Sequence, residues 1–139
     1  MRQLSDIVCH KYPFTMPPSA TVRDACREMR DRRIGAVLIT NEKGHLVGIF
    51  TGRDAVGRVL AAGKSAARTK LAEVMTSNPT TMSPEKTAID ALRLMWDGGF
   101  RHIPVVEAGG VAGIVSRGDF HALEDERLEE ERMLWEHLR

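Results

Sequence analysis

The sequence predicts a mixed α/β (α+β) fold in which one small unit is built twice. The chain matches itself along most of its length, and each copy combines a helical apolar spacing with two short extended apolar runs. At an offset of 66, Pro13, Thr15, Met16, Pro18, Thr21, Asp24, Ala25, Arg27, Met29 and Asp31 return as Pro79, Thr81, Met82, Pro84, Thr87, Asp90, Ala91, Arg93, Met95 and Asp97. At an offset of 65, Gly48-Ile49-Phe50-Thr51-Gly52-Arg53-Asp54 is answered by Gly113-Ile114-Val115-Ser116-Arg117-Gly118-Asp119. A ladder of that length reads as internal duplication.

Within the first copy, Val22, Ala25, Cys26 and Met29 fall on one helical face, with Thr21 as N-cap and Asp24 three residues on. Residues 36–40 read as a buried strand, 41–44 as a turn, 45–50 as the returning strand, and a second helix begins near Asp54. Residues 61–70 are small and polar, as suits a linker. In the second copy Ala88, Ala91, Leu92 and Met95 mark the helix, Ile103 to Val106 a strand, Gly109-Gly110 the turn, and Val111 to Val115 the next strand. Each copy is therefore expected to be a three-stranded sheet with two helices. The expected boundaries are 1–62 for the first repeat, 63–70 for the linker, 71–123 for the second repeat and 124–139 for an acidic helical extension. Such units leave apolar surface uncovered, so the two are expected to pack with pseudo-twofold symmetry and paired clefts. The segment from Asp119 to Arg139 reads as one long helix.

A chain of 139 residues, 42% hydrophobic and 28% charged, reads as an ordinary globular domain. The apolar run Ala36-Val37-Leu38-Ile39 is far too short to span a bilayer, and the opening Met1-Arg2-Gln3-Leu4-Ser5-Asp6 forms no secretory apolar region. The expected address is cytoplasmic, with no membrane role. Cys9 and Cys26 have neither the number nor the spacing of a disulfide framework or a zinc site, so both are expected to be reduced thiols, and no metal is expected. Residues 124–139 hold seven acidic groups against Arg127, Arg132 and Arg139, a charge of −4, which leaves +5 on residues 1–123. A mildly basic body suits an anionic small ligand. Arg23, Arg27, Arg30, Arg32 and Arg33 follow the solvated side of a helix, so nucleic acid is not an expected partner.

The phrase Gly-apolar-apolar-Thr/Ser-x-x-Asp stands twice where a strand hands over to a helix. A helix start offers unpaired N–H groups and partial positive charge, and a carboxylate there can accept both hydrogen bonds of a ribose diol. The same residues also satisfy a capping box, Thr51 with Asp54 and Ser116 with Asp119, and Gly48 and Gly113 also permit close packing.

These phrases, Pro-x-x-Thr before each first helix, and Phe100-Arg101-His102-Ile103-Pro104-Val105-Val106 together resemble a tandem pair of cystathionine-beta-synthase (CBS) domains. The arrangement is called a Bateman module, here as in a free-standing CBS domain-containing protein. The resemblance implies two clefts, each taking an adenosine-containing ligand, and no catalysis. The first cleft would use Thr51, Arg53 and Asp54 for sugar and phosphate, with Thr81, Phe100, Arg101 and His102 toward base and phosphate. The second would use Ser116, Arg117 and Asp119 with Thr15, Ile34, Gly35 and Ala36. The second set lacks an aromatic and two phosphate partners, with Arg33 and Arg117 as its cations, and ranks as the weaker or vacant one. No cofactor is required. AMP, ADP or ATP is the expected ligand, with S-adenosylmethionine and NAD as further adenosine-bearing options, for an energy-sensing regulator acting on a protein partner not named by the sequence. The alternative is a structural or protein-interaction module with no nucleotide.

Cys9-His10 and the remaining histidines assemble no recognisable catalytic constellation, so no enzyme is expected. Val59, Leu60, Trp96, Met133, Trp135 and Leu138 offer more apolar surface than a small body covers, which predicts a homodimer.

Overall fold

In the computed structural model, which describes residues 2–8 and 13–138, the apolar spacings become helices that each bury one face. The elements in chain order are α1 (Leu4–Val8), β1 (Thr15–Met16), α2 (Val22–Arg32), β2 (Ala36–Thr40), β3 (Leu46–Thr51) and α3 (Gly52–Asp54), which continues as a π-helix (Ala55–Leu60). There follow α4 (Leu71–Val74), β4 (Thr76–Ser77), α5 (Ala88–Gly98), β5 (His102–Glu107), β6 (Gly110–Ser116), a 3-10 turn (Arg117–Asp119) and α6 (Ala122–Leu138). The helix foreseen from Asp119 onward is interrupted, since Phe120 is extended and α6 starts at Ala122. The described residues form two compact units, one of residues 13–80 with 108–111, the other of residues 2–8, 81–107 and 112–138.

In the first unit the sheet order is β1-β2-β3-β4. β1 runs parallel to β2, with Thr15 opposite Leu38 and Met16 opposite Ile39, and β2-β3 and β3-β4 are antiparallel. Thr21 Oγ1 accepts the Asp24 N–H at 3.1 Å, as the cap reading requires, and Val22 and Ala25 are buried by α2. Those two residues join Val37, Ile39, Phe50, Val59, Leu71 and Val74 in one core. Full burial of a side chain such as Phe50 contributes about 1.5 to 3 kcal/mol. Val59, foreseen on the surface, is part of this core.

The second unit packs Ala88, Ala91 and Met95 of α5 against Ile103, Val105 and Val115, together with Leu4, Ile7 and Val8 of α1. Among the described residues its sheet is β5-β6, where repetition predicts three strands. The counterpart of β1 shrinks to one parallel bridge, Met82 with Val105. The reason is chemical: Pro104 stands where the first copy has Leu38 and has no N–H to give.

The helix α1 reads Leu-Ser-Asp-Ile-Val and the run at α4 reads Leu-Ala-Glu-Val-Met, matched at an offset of 67. Gln3 N–H donates to Asp6 Oδ2 at 2.9 Å just as Lys70 N–H donates to Glu73 Oε2 at 2.7 Å. Each unit is thus completed by the short helix that precedes the other repeat in sequence. The paired glycines make room for it: a Cβ at Gly48 would collide with the Met75 side chain, and one at Gly113 would meet Val8 Cβ at 2.8 Å. The residues that answer to β4, at 9 and 10, lie outside the described residues, and with them the reduced thiol expected at Cys9.

Candidate functional site

Both strand-to-helix corners close the capping box. At the first, Thr51 N–H and Thr51 Oγ1 donate to Asp54 Oδ2 at 2.9 and 3.1 Å, and Asp54 N–H donates back to Thr51 Oγ1 at 3.2 Å. At the second, Ser116 N–H and Oγ donate to Asp119 Oδ2 at 2.7 and 3.1 Å. Both carboxylates are half-buried. A shared backbone bond braces each corner against the entry of its preceding strand: Gly52 N–H donates to the Gly35 carbonyl at 3.1 Å, and Arg117 N–H to the Arg101 carbonyl at 2.9 Å. These bonds fix the start of each short helix, where N–H groups converge.

The residues that the resemblance implies are divided between the two units. The first unit holds Thr51, Arg53 and Asp54 at its corner, with Thr15 in β1, Ile34 and Gly35 just before β2, and Ala36 opening β2. Gly35 is exposed and Ala36 buried. The second unit holds Ser116, Arg117 and Asp119 at its corner, with Thr81, Phe100 and Arg101 outside strands and His102 opening β5. Thr81 and Arg101 are exposed, while Phe100 packs on the unit's apolar core and close over Gly98. Its ring therefore already has a structural role. Burial holds the His102 imidazole below its usual range; the Asp119 charge pulls the other way and Arg101 adds to the lowering.

Two attachments escaped the reading of the sequence. Arg58, on the π-helix, lies with Nε 3.5 Å from Asp54 Oδ1 and donates through Nη1 to the carbonyls of Val74 and Met75 at 3.4 and 3.1 Å. The spacing of four from Asp54 is the signal that would have found it. Arg2 donates to the Asp119 carbonyl at 3.0 Å and forks onto Glu124, at 2.6 Å to Oε1 and 3.3 Å to Oε2. No local pattern announces that contact. Burial works against the Glu124 charge, yet the Arg2 bond and the His121 N–H hold its carboxyl below the usual range.

The second unit also carries a cavity of about 300 Å³ lined by Leu92, Trp96, Arg117, Glu126, Leu128 and Glu129. Among the described residues no group of three or more His, Cys, Asp or Glu side chains is placed to hold a metal ion, and no helix is long and apolar enough to cross a membrane.

The CBS domain family model matches residues 4–61 and 71–123. A CBS domain-containing protein of Arabidopsis thaliana is 43% identical over 102 residues, which cover 73% of this chain and 18% of that protein. A mitochondrial CBS domain-containing protein of the same plant is 37% identical over 103 residues, 71% of this chain and 50% of that one. The chain thus spans from under a fifth to half the length of these curated relatives. Among solved structures, a CBS-domain containing protein from Agrobacterium tumefaciens is 33% identical with a TM-score of 0.77, covering 84% of this chain and 94% of that one. A CBS domain protein from Pyrobaculum aerophilum, complexed with AMP, has a TM-score of 0.80 at 23% identity, over 92% of this chain and 98% of that one.

Proposed function

This chain belongs to the CBS domain family, and from that premise we propose that it is a regulatory module that binds an adenosine-containing nucleotide and passes occupancy to a partner by a change of conformation or association. The observation that carries this reading is the recurrence of one carboxylate corner at both strand-to-helix junctions. At the first, Asp54 Oδ2 is spent on Thr51 while Oδ1 stands beside a guanidinium, an acceptor suited to a ribose diol. Thr51, Arg53, Thr81, Phe100, Arg101 and His102 are the further candidate contacts of this site. The AMP carried by the Pyrobaculum protein supports an adenine nucleotide, with AMP, ADP or ATP ahead of S-adenosylmethionine and NAD. Ser116, Arg117 and Asp119, with Thr15, Ile34, Gly35 and Ala36, form the candidate weaker site. The role is non-catalytic, and the compartment we propose is the cytoplasm, where reduced thiols such as Cys26 are at home.

The test is a thermal-shift panel on the full chain. A nucleotide that binds only the folded state stabilises it by about 2.7 kcal/mol at a hundred times its Kd. AMP or ATP is expected to raise the midpoint more than GMP or CMP; equal shifts for every base, or none, overturn the reading.

A second reading, an interaction module working through self-association, is favoured by the exposed apolar side chains Val56, Leu60, Trp96, Met133, Leu134 and Trp135. Trp135 is 68% exposed, an arrangement that a homodimer would relieve. Light scattering decides it: a full-length monomer at micromolar concentration removes the dimer, and a chain cut after Leu123 is expected to associate more weakly.

A further inference from the structure

Asp54 is joined by Arg58 to a segment that contributes nothing to the capping box. Arg58 sits on the π-helix that follows the corner, an irregularity that recurs near functional sites. Its Nε faces Asp54 Oδ1 at 3.5 Å, while Nη1 of the same guanidinium donates to the Val74 and Met75 carbonyls. Those carbonyls close α4, the short helix that completes the first unit, and Met75 fills the room left by Gly48. An ammonium gathers its three donors on one nitrogen, whereas the planar fork sets Nε toward one end and Nη1 toward the other in fixed directions. Asp54 is 12% exposed and Arg58 52%, so the carboxylate is the fixed end and the guanidinium the adjustable one. Position 123, which answers to Arg58 at the offset of 65, is Leu123, a side chain with no donor.

We propose that Arg58 is a positioning residue that couples the Asp54 carboxylate to the end of α4, so that what happens at the first corner is felt at residues 74–78. Its use as the outlet of a ligand signal rests on the nucleotide reading above. The coupling itself does not.

Amide hydrogen exchange on the full chain tests both. Without ligand, Asp54→Asn is expected to speed exchange at residues 75–78 by about two- to fivefold, the scale of a half-exposed ion pair. The same change made on top of Arg58→Leu is expected to add nothing, and Arg58→Lys is expected to behave like Arg58→Leu. A purely electrostatic role would be rescued by lysine, so a Lys variant equal to wild type overturns the proposal. Unchanged exchange in Asp54→Asn overturns it too. With AMP as the probe, the wild type is expected to change its protection at 75–78, and Arg58→Leu to bind AMP without that change. An equal change in both overturns the coupling. If AMP fails to bind the wild type while the ligand-free coupling is present, the nucleotide reading falls and the link from Asp54 to α4 stands.

Discussion

At the first corner Asp54 answers to Arg58, an arginine of the very helix it begins, whereas at the second corner the chain around Asp119 is held by Arg2, which arrives from the other end of the sequence. The two corners share the bonds that Thr51 and Ser116 give their carboxylates, at 2.9 and 3.1 Å in the first and 2.7 and 3.1 Å in the second. Their described outer attachments differ: one guanidinium ties a corner to α4, the other ties a corner to the first turn of α6 through Glu124. Duplication has therefore supplied two copies of a local motif whose settings were furnished separately, and equal corners need not respond equally.

The sharpest way to break that comparison is to remove the two carboxylates in turn. Asp54→Ala is expected to weaken AMP binding by about ten- to a hundredfold, the loss of a charged hydrogen-bond partner at roughly 1.5 to 3 kcal/mol, while Asp119→Ala costs less. Calorimetry reads both, and the reverse order would invert the ranking of the corners. Next in size is the outer attachment. Arg2→Ala leaves a half-buried Glu124 without its fork and is expected to lower stability by about 1 to 2 kcal/mol, against about 0.5 for Arg58→Ala at its more exposed position. Urea midpoints that rank the two the other way would refute this.

Smaller still is the effect of making the strands alike. Pro104→Leu restores the N–H that Leu38 supplies in the first repeat, and the amide at position 104 is expected to exchange slowly while total stability moves by under about 1 kcal/mol. Fast exchange there would show that something other than the missing donor shortens the ladder. The least effect concerns His102, which burial holds below its usual range although Asp119 opposes this. The folded state then binds fewer protons than the unfolded chain near pH 6.5, roughly the ordinary histidine value, so stability falls as the medium is acidified through that region. His102→Gln is expected to flatten that part of the slope, and an unchanged melting profile between pH 5 and about 7 would exclude the histidine as its source.

What could be read in advance follows from the range of the forces involved. The faces of α2 and α5 are legible because Val22, Ala25, Ala88, Ala91 and Met95 repeat at helical spacing, and the corners because capping needs residues only three apart. Arg58 was within reach of the same local logic. Arg2 was not, since its partner lies 122 positions away, and neither was the packing of α1 with the second repeat, which depends on the space above Gly113. The shrinking of the second repeat's counterpart of β1 to a single bridge turns on the N–H that Pro104 lacks, which apolar alternation does not record.

The crossing of the opening helices also sets an order in time. Residues 13–80 hold β1 to β4 and the helix that completes them in one continuous stretch, so this body can form while later residues are still being made. The other must bring residues 2–8 to a partner that begins at residue 81, closing a loop whose entropy grows with the logarithm of its length. An emerging chain therefore carries Leu4, Ile7 and Val8 uncovered until the second repeat exists. In a refolding experiment with pulsed exchange, these are the amides expected to gain protection last.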